Sequence, residues 1–334
     1  MSQAGLMGAM EIQDAMRVFG YLLGDDDAND MPGLMSAIER AVSGVEPLLK
    51  QVSGYPENYH KPVRAALEYA HSLAASVPGP VVVNKEAYAR EPLVHALFPS
   101  VDFIQEALCA SRALQDYHRV SPRVDELYAL MGMRRREKNM AGMELSGQVI
   151  QRDVIQDVVY FTNHTIEYPA SSEQQARGQI AVGFFDTIVG KVKKLVEERK
   201  QDKQSLLQEK DMLMARLRAA DAEARPALEK ELSKLLASLQ STASLLDLRN
   251  YIEDFEAVLL NPEQHLRLNQ TPIILDSMGI RLDSGDAQSV EPVVFHDLIG
   301  FDRRDWTVIM VYCDNIPSES FATRLEQASR RLAL

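Results

Sequence analysis

The acidic run from Asp25 to Asn29 has the ligand spacing that opens a calcium-binding loop, so it is the first place to look for metal chemistry. Such a loop also needs glycine at its sixth position for a sharp turn and glutamate at its twelfth as a bidentate ligand. Here those positions hold Asp30 and Ser36, and Pro32 lies between them. We therefore interpret the run as an acidic loop between helices, without a metal.

Glu68 and His71 are one turn apart on a predicted helix, which is the half-motif of di-iron helical bundles. A di-iron site also requires a second such pair and two further inward-facing glutamates. We interpret Glu68 and His71 as a surface pair. Cys109 and Cys313 each lie among apolar neighbours, so we expect buried small side chains rather than reactive thiolates or zinc ligands.

Nucleotide-binding and hydrolase signatures are absent from the sequence: it contains no phosphate-binding glycine loop, no dinucleotide fingerprint and no nucleophile elbow. A catalytic site made from scattered residues stays open, because triads are recognised by geometry rather than by chain order. The residues for such a site, between a helical domain and a β body, would be His164, His296, Asp297 and Arg152. We nevertheless lean toward a protein that is not an enzyme, and we predict no catalytic residue, metal ligand or cofactor.

A basic run stands out from the acidic background. It contains Arg134, Arg135, Arg136 and Lys138. Such a run could dock an acidic protein surface or a phosphate-rich partner, nucleic acid included. It could equally end a helix, where cations complement the dipole. The run itself contains no aromatic residue, so we favour the helix end and consider nucleic-acid binding unlikely.

The composition indicates a folded protein of about two domains. The 36 Lys and Arg residues against 48 Asp and Glu give a net charge of −12, which argues against a whole molecule built to bind nucleic acid or anionic membranes. No apolar run approaches the roughly 20 residues of a membrane span, and the N-terminus has no cationic signal region. We expect a cytoplasmic protein with no membrane segment.

The first 135 residues predict a helical domain. A helix near its start has Pro32 in its first turn and an apolar stripe of Leu34, Ile38, Ala41 or Val42, Val45 and Leu49. An earlier helix is expected around residues 12–23. Further helices are predicted at 61–75, 85–97, 101–119 and 123–131.

Two later stretches, 140–168 and 272–312, are rich in β-branched and aromatic residues and predict antiparallel strands. We expect them to share one sheet, because an isolated hairpin is only marginally stable. A final helix is expected at about 318–332. The predicted β body thus combines residues 136–182 with 262–334.

Residues 183–261 predict a long antiparallel helical hairpin of coiled-coil type. In such a hairpin, the residue numbers of two facing residues should add up to nearly the same value along its whole length. The apolar pairs meet this condition: Leu213 and Leu232 add up to 445, and Val192 and Ile252 add up to 444. The polar stretch 197–204 interrupts the apolar seam. We interpret it as a solvated part of the helix, with a flexible joint as the alternative.

The predicted fold class is α+β and predominantly helical, with an N-terminal helical bundle, an antiparallel β body and the hairpin inserted between its two β segments. Some apolar residues of the hairpin lie off the seam. They are Leu207, Met212, Met214, Leu236 and Leu245. We take them as a surface for a protein partner or for self-association, while packing on the protein's own body is nearly as well supported. The predicted function is a cytosolic interaction or assembly factor.

Overall fold

The computed structural model describes residues 31–121, 126–146, 149–221, 223–245, 248–276, 279–282, 291–302 and 305–314. The chain divides into two compact units, each assembled from two separate segments. One unit comprises Met1–Ala70 with Val182–His265, and the other comprises His71–Ala181 with Leu266–Leu334. The early helix, the calcium-like run and the final helix predicted from the sequence lie outside the described residues.

The described helices are α1 (Met31–Val45), α2 (Glu57–Ala75), α3 (Lys85–Arg90), α4 (Pro92–Leu97), α5 (Val101–Ala110), α6 (Arg112–Val120), α7 (Glu173–Ala219), α8 (Arg225–Leu245) and α9 (Leu248–Leu259). The described strands are β1 (Val81–Val82), β2 (Glu126–Ser146), β3 (Val149–Ala170), β4 (Leu266–Ile273), β5 (Val293–Gly300) and β6 (Asp305–Asp314). Short 3-10 turns occupy Pro47–Gln51 and Pro262–Gln264. The fold class is α+β, as predicted, with the long α7 between the two β segments.

The predicted apolar stripe of α1 is confirmed, because Leu34, Ile38, Val42, Val45 and the following Leu49 are all buried. In the same unit, the ring of Tyr59 packs edge-on against Phe255 of α9, with 5.1 Å between ring centroids. The ion pairs Arg40–Asp186 and Arg199–Asp254 join α1 and α9 to α7. The helices of this unit are therefore held by an apolar core with ion pairs at its margin.

The helices α7 and α8 of the hairpin pack against each other around a small apolar cluster. Leu213 of α7 and Leu228 and Leu235 of α8 are buried together, and other seam leucines pack against them: Leu206, Leu217 and Leu232. This packing places the predicted seam between the two helices. Residues of the polar stretch 197–204 form ion pairs with residues far away in the chain, Lys200 with Glu46 and Arg199 with Asp254, and Glu198 pairs with Lys194 one turn earlier.

The two predicted β blocks share one sheet, as expected. Its strand order is β3-β2-β6-β5-β4, and the short β1 pairs in parallel with β6. Residues 126–133 of β2 pair with β6, and β2 pairs with β3 from Tyr128 to Ser146, so the two pairings overlap. Alternate residues of β2 and β6 point into a core shared with α3 to α6. Its members include Leu127, Ala129, Met131, Met133, Ile309, Val311 and Cys313.

The helix predicted at 123–131 is wrong, because the described part of this stretch is the start of β2. Its residues, Glu126 to Met131, are compatible with either structure locally, and pairing with β6 determines the outcome. The helices predicted at 85–97 and 101–119 are each divided in two. Pro92 begins α4, and Ser111 both ends α5 and caps α6 by accepting a hydrogen bond from the Leu114 amide.

Candidate functional site

The outer part of the hairpin exposes four of the five apolar residues singled out in the sequence. The exposed fractions are 37% for Leu207, 63% for Met212, 37% for Met214 and 48% for Leu236. The side chain of Leu245 lies outside the described part of the chain. Large apolar side chains are thus accessible on a segment whose own core is small.

Three of these residues share one face of the hairpin. Leu207, Met214 and Leu236 each follow a seam leucine by one position: Leu206, Leu213 and Leu235. Successive side chains of an α-helix are rotated by about 100° around its axis. In two antiparallel helices that pack along a seam, the residues that follow the seam residues therefore lie on the same side of the hairpin. Leu207 and Leu236 also lie at about the same height along the hairpin, since their residue numbers sum to 443, close to the sums of 444 and 445 of the facing seam pairs. They form an apolar stripe, which we call the hairpin face.

Met212 does not belong to the hairpin face. It precedes Leu213 by one position, so it turns about 100° in the other direction from the seam and lies on the opposite side. The predicted surface is therefore divided. Leu207, Met214 and Leu236 lie together, and Met212 lies apart from them.

The basic run lies in the middle of β2 and not at a helix end, so the favoured interpretation of it was wrong. Side chains alternate along a strand, which places Arg134, Arg136 and Lys138 on one face of the sheet and Arg135 on the other. The register pairs Arg136 with Tyr160 of β3 and Lys138 with Val158. The strand thereby divides one basic run into two different environments.

Two aromatic rings lie beside the cations of the first face. The Arg134 guanidinium lies 4.9 Å from the ring centroid of Trp306, and the Lys138 ammonium lies 5.3 Å from that of Tyr160. Arg136, Lys138 and Tyr160 are exposed. Among the described residues, Arg134, Arg136 and Lys138 form no ion pair. We call these three cations with Trp306 and Tyr160 the basic–aromatic face.

Arg135 on the opposite face belongs to a buried polar cluster. Its guanidinium lies 2.9 Å from a carboxylate oxygen of Asp297, and it also lies over the ring of Phe295. Asp297 accepts hydrogen bonds of 2.7 Å from the hydroxyls of Thr271 and Thr307. These side chains come from β2, β4, β5 and β6, so the cluster links four strands.

The residues considered for a scattered catalytic site have separate partners. His164 lies 2.8 Å from the Leu97 carbonyl and packs against the rings of Phe98 and Phe103. Burial lowers the pKa of His164, and burial also lowers that of His296, although neighbouring Asp297 opposes the second shift. Asp297 is engaged by Arg135 and the two threonines. The side chain of Arg152 is outside the described part.

Metal and thiol chemistry gain no support from the geometry. Glu68 and His71 are both exposed on α2. Glu57 and His60 repeat their spacing on the same helix, so the interpretation that no other histidine has an acidic residue three positions before it is wrong. The described residues contain no group of three His, Cys, Asp or Glu side chains arranged to hold a metal ion. Both cysteines are buried, and burial raises the pKa of the Cys313 thiol to about 12.

The residues that sequence reasoning missed are Trp306 and Tyr160. Tyr160 lies 24 positions after Arg136 in the chain, and Trp306 lies 172 positions after Arg134, so neither is near the basic run in the sequence. The signal that could have found Tyr160 is a strand prediction for residues 126–146, because a hairpin with residues 149–170 sets Tyr160 opposite Arg136.

Within the described residues, no helix has both the length and the apolar composition of a membrane span. Comparison with protein-family models, curated proteins and solved structures gives no match to this chain.

Proposed function

We propose that this protein is an assembly factor that self-associates through the outer part of its helical hairpin. The observation that carries the proposal is the hairpin face, where Leu207, Met214 and Leu236 are exposed side by side on two packed helices. A two-helix hairpin with such a stripe can bury it against a second copy, giving a four-helix arrangement around a new apolar seam. A two-fold axis closes that contact, because the same patch then serves both partners.

Charge also favours contact at the hairpin rather than elsewhere. The molecule has a net charge of −12, so most of its surface repels a second copy. Between residues 184 and 260, however, 13 Lys and Arg residues are matched by 14 Asp and Glu residues. The hairpin is thus close to neutral, and two hairpins approach without the repulsion expected of the rest of the chain.

The test is the molar mass in solution, measured by light scattering after size-exclusion chromatography. We expect the wild type to give twice the monomer mass of 37.4 kDa. The variant Leu207→Ser/Leu236→Ser should be monomeric, because it removes two of the three apolar side chains of the stripe, one from each helix, at positions that are already exposed. Met212→Ser is the matched control, since it removes an exposed apolar side chain from the opposite side and should remain dimeric.

A wild type that stays monomeric at high concentration would contradict self-association. A double variant that remains dimeric would contradict the assignment of the face. Far-ultraviolet circular dichroism of each variant shows whether the hairpin remains helical, so that loss of the dimer is not confused with unfolding.

A further inference from the structure

We propose that the basic–aromatic face binds single-stranded nucleic acid. Its three cations are Arg134, Arg136 and Lys138, and its rings are Trp306 and Tyr160. The proposal is independent of the hairpin, because it concerns a different surface and a different class of ligand.

The spacing of the cations suits an extended polyanion. Arg134, Arg136 and Lys138 are alternate residues of one strand, so neighbouring Cα atoms in this row are about 6.8 Å apart. Among the described residues none of them forms an ion pair, whereas their strand neighbours are engaged, Arg135 by Asp297 and Glu137 by Arg281. Three cations on one face of an acidic protein, without an ion pair to any residue that the structure describes, can neutralise phosphates.

The rings distinguish a single strand from other polyanions. Tyr160 is 37% exposed and lies opposite Arg136 in the strand register. Unpaired bases stack on aromatic rings and on arginine guanidinium planes that a sheet presents, whereas the bases of a duplex are already stacked on each other. An acidic peptide would use the cations but would gain nothing from the rings. The combination therefore favours unpaired nucleotides.

The experiment uses the full chain and a fluorescently labelled single-stranded oligonucleotide, with anisotropy read at several salt concentrations. We expect binding at low salt, with log Kd rising against log salt with a slope of about 2 if all three cations contact phosphate. Trp306 is the single tryptophan of the chain, so its intrinsic fluorescence should be quenched when a base stacks at the face.

Two variants separate the contribution of the cations to binding from that of the aromatic rings. Arg136→Gln/Lys138→Gln should weaken binding about tenfold or more and lower the salt slope by about 1.4. Tyr160→Ala should weaken binding roughly fivefold or more while leaving the slope unchanged, because stacking releases no counterions. The matched control is Lys230→Gln/Lys234→Gln, which makes the same change of charge on the exposed surface of α8 and should bind as the wild type does.

Several results would overturn the proposal. They are no binding at low salt, no effect of the face variants, binding of a duplex as tight as that of the single strand, and equal competition by polyglutamate. Circular dichroism of the face variants checks that the sheet is intact, and Trp306, present in all of them, reports folding as well.

Discussion

At the scale of single residues, the carboxylate of Asp297 is the clearest case of a charge that the fold must compensate. It is buried, and its partners are the Arg135 guanidinium and the hydroxyls of Thr271 and Thr307. A buried charge is tolerated only when it is paired and hydrogen-bonded. The cluster therefore constrains how β2, β4, β5 and β6 are placed around it.

Replacing Asp297 by alanine should lower the free energy of unfolding by on the order of 3 kcal/mol, because Arg135 is left as a largely buried charge without its partner. Urea denaturation measures the change. Asp116→Ala is the control: its ion pair with Arg119 is exposed, and the loss should be below about 1 kcal/mol. If both variants lose the same free energy of unfolding, the buried cluster stabilises the fold no more than an exposed ion pair does.

At the scale of elements, the end of α2 depends on a distant arginine. The Arg177 guanidinium of α7 donates hydrogen bonds to the carbonyls of Ala74, Ala75 and Val77, and to that of Gly79. The last carbonyls of a helix have no partner within it, so they require one from outside. One planar side chain thus satisfies the end of α2 and the loop after it.

Arg177→Met should lower the free energy of unfolding by about 2–3 kcal/mol, since several carbonyls lose a charged donor while the length of the side chain is kept. Arg177→Lys should recover less than half of this loss, because an ammonium lacks the planar fork. Denaturant titration of both variants tests the idea. If the lysine variant is as stable as the wild type, charge alone explains the role of Arg177.

The stretch Glu126 to Met133 forms a strand because of residues that are far away in the chain. Its leucine, alanine and methionine residues fit a helix at least as well as a strand, and the short window shows no decisive period. The partner that makes it a strand is β6, about 180 positions later in the chain. Local sequence therefore predicted that the stretch is ordered and apolar, but not which structure it adopts.

At the scale of the whole molecule, the outer part of the hairpin, residues 204–240, packs around an apolar cluster of its own. In the described part of residues 204–240, the buried side chains are Leu213, Leu228 and Leu235, and they pack with other leucines of the hairpin. A domain usually has one contiguous core, and smaller satellite clusters are separate from it. The outer hairpin should thus be dispensable for folding of the rest.

A variant in which residues 204–240 are replaced by a short glycine–serine linker should keep cooperative thermal unfolding and the near-ultraviolet circular dichroism of the wild type. The linker is feasible because positions 203 and 241 sum to 444 and so face each other in the predicted hairpin. Phe255→Ala is the contrasting control, as loss of a fully buried ring should cost about 3–5 kcal/mol. Loss of cooperative unfolding in the shortened chain would contradict the prediction.

The sequence by itself determined the features that repeat along the chain. The spacing of leucines predicted the hairpin seam and left Leu207, Met214 and Leu236 outside it, because helical periodicity is a local property. The tertiary structure alone decided that Arg134, Arg136 and Lys138 share a face with Tyr160 and Trp306. Strand pairing joins residues that are far apart in the chain, and no local pattern specifies the partner.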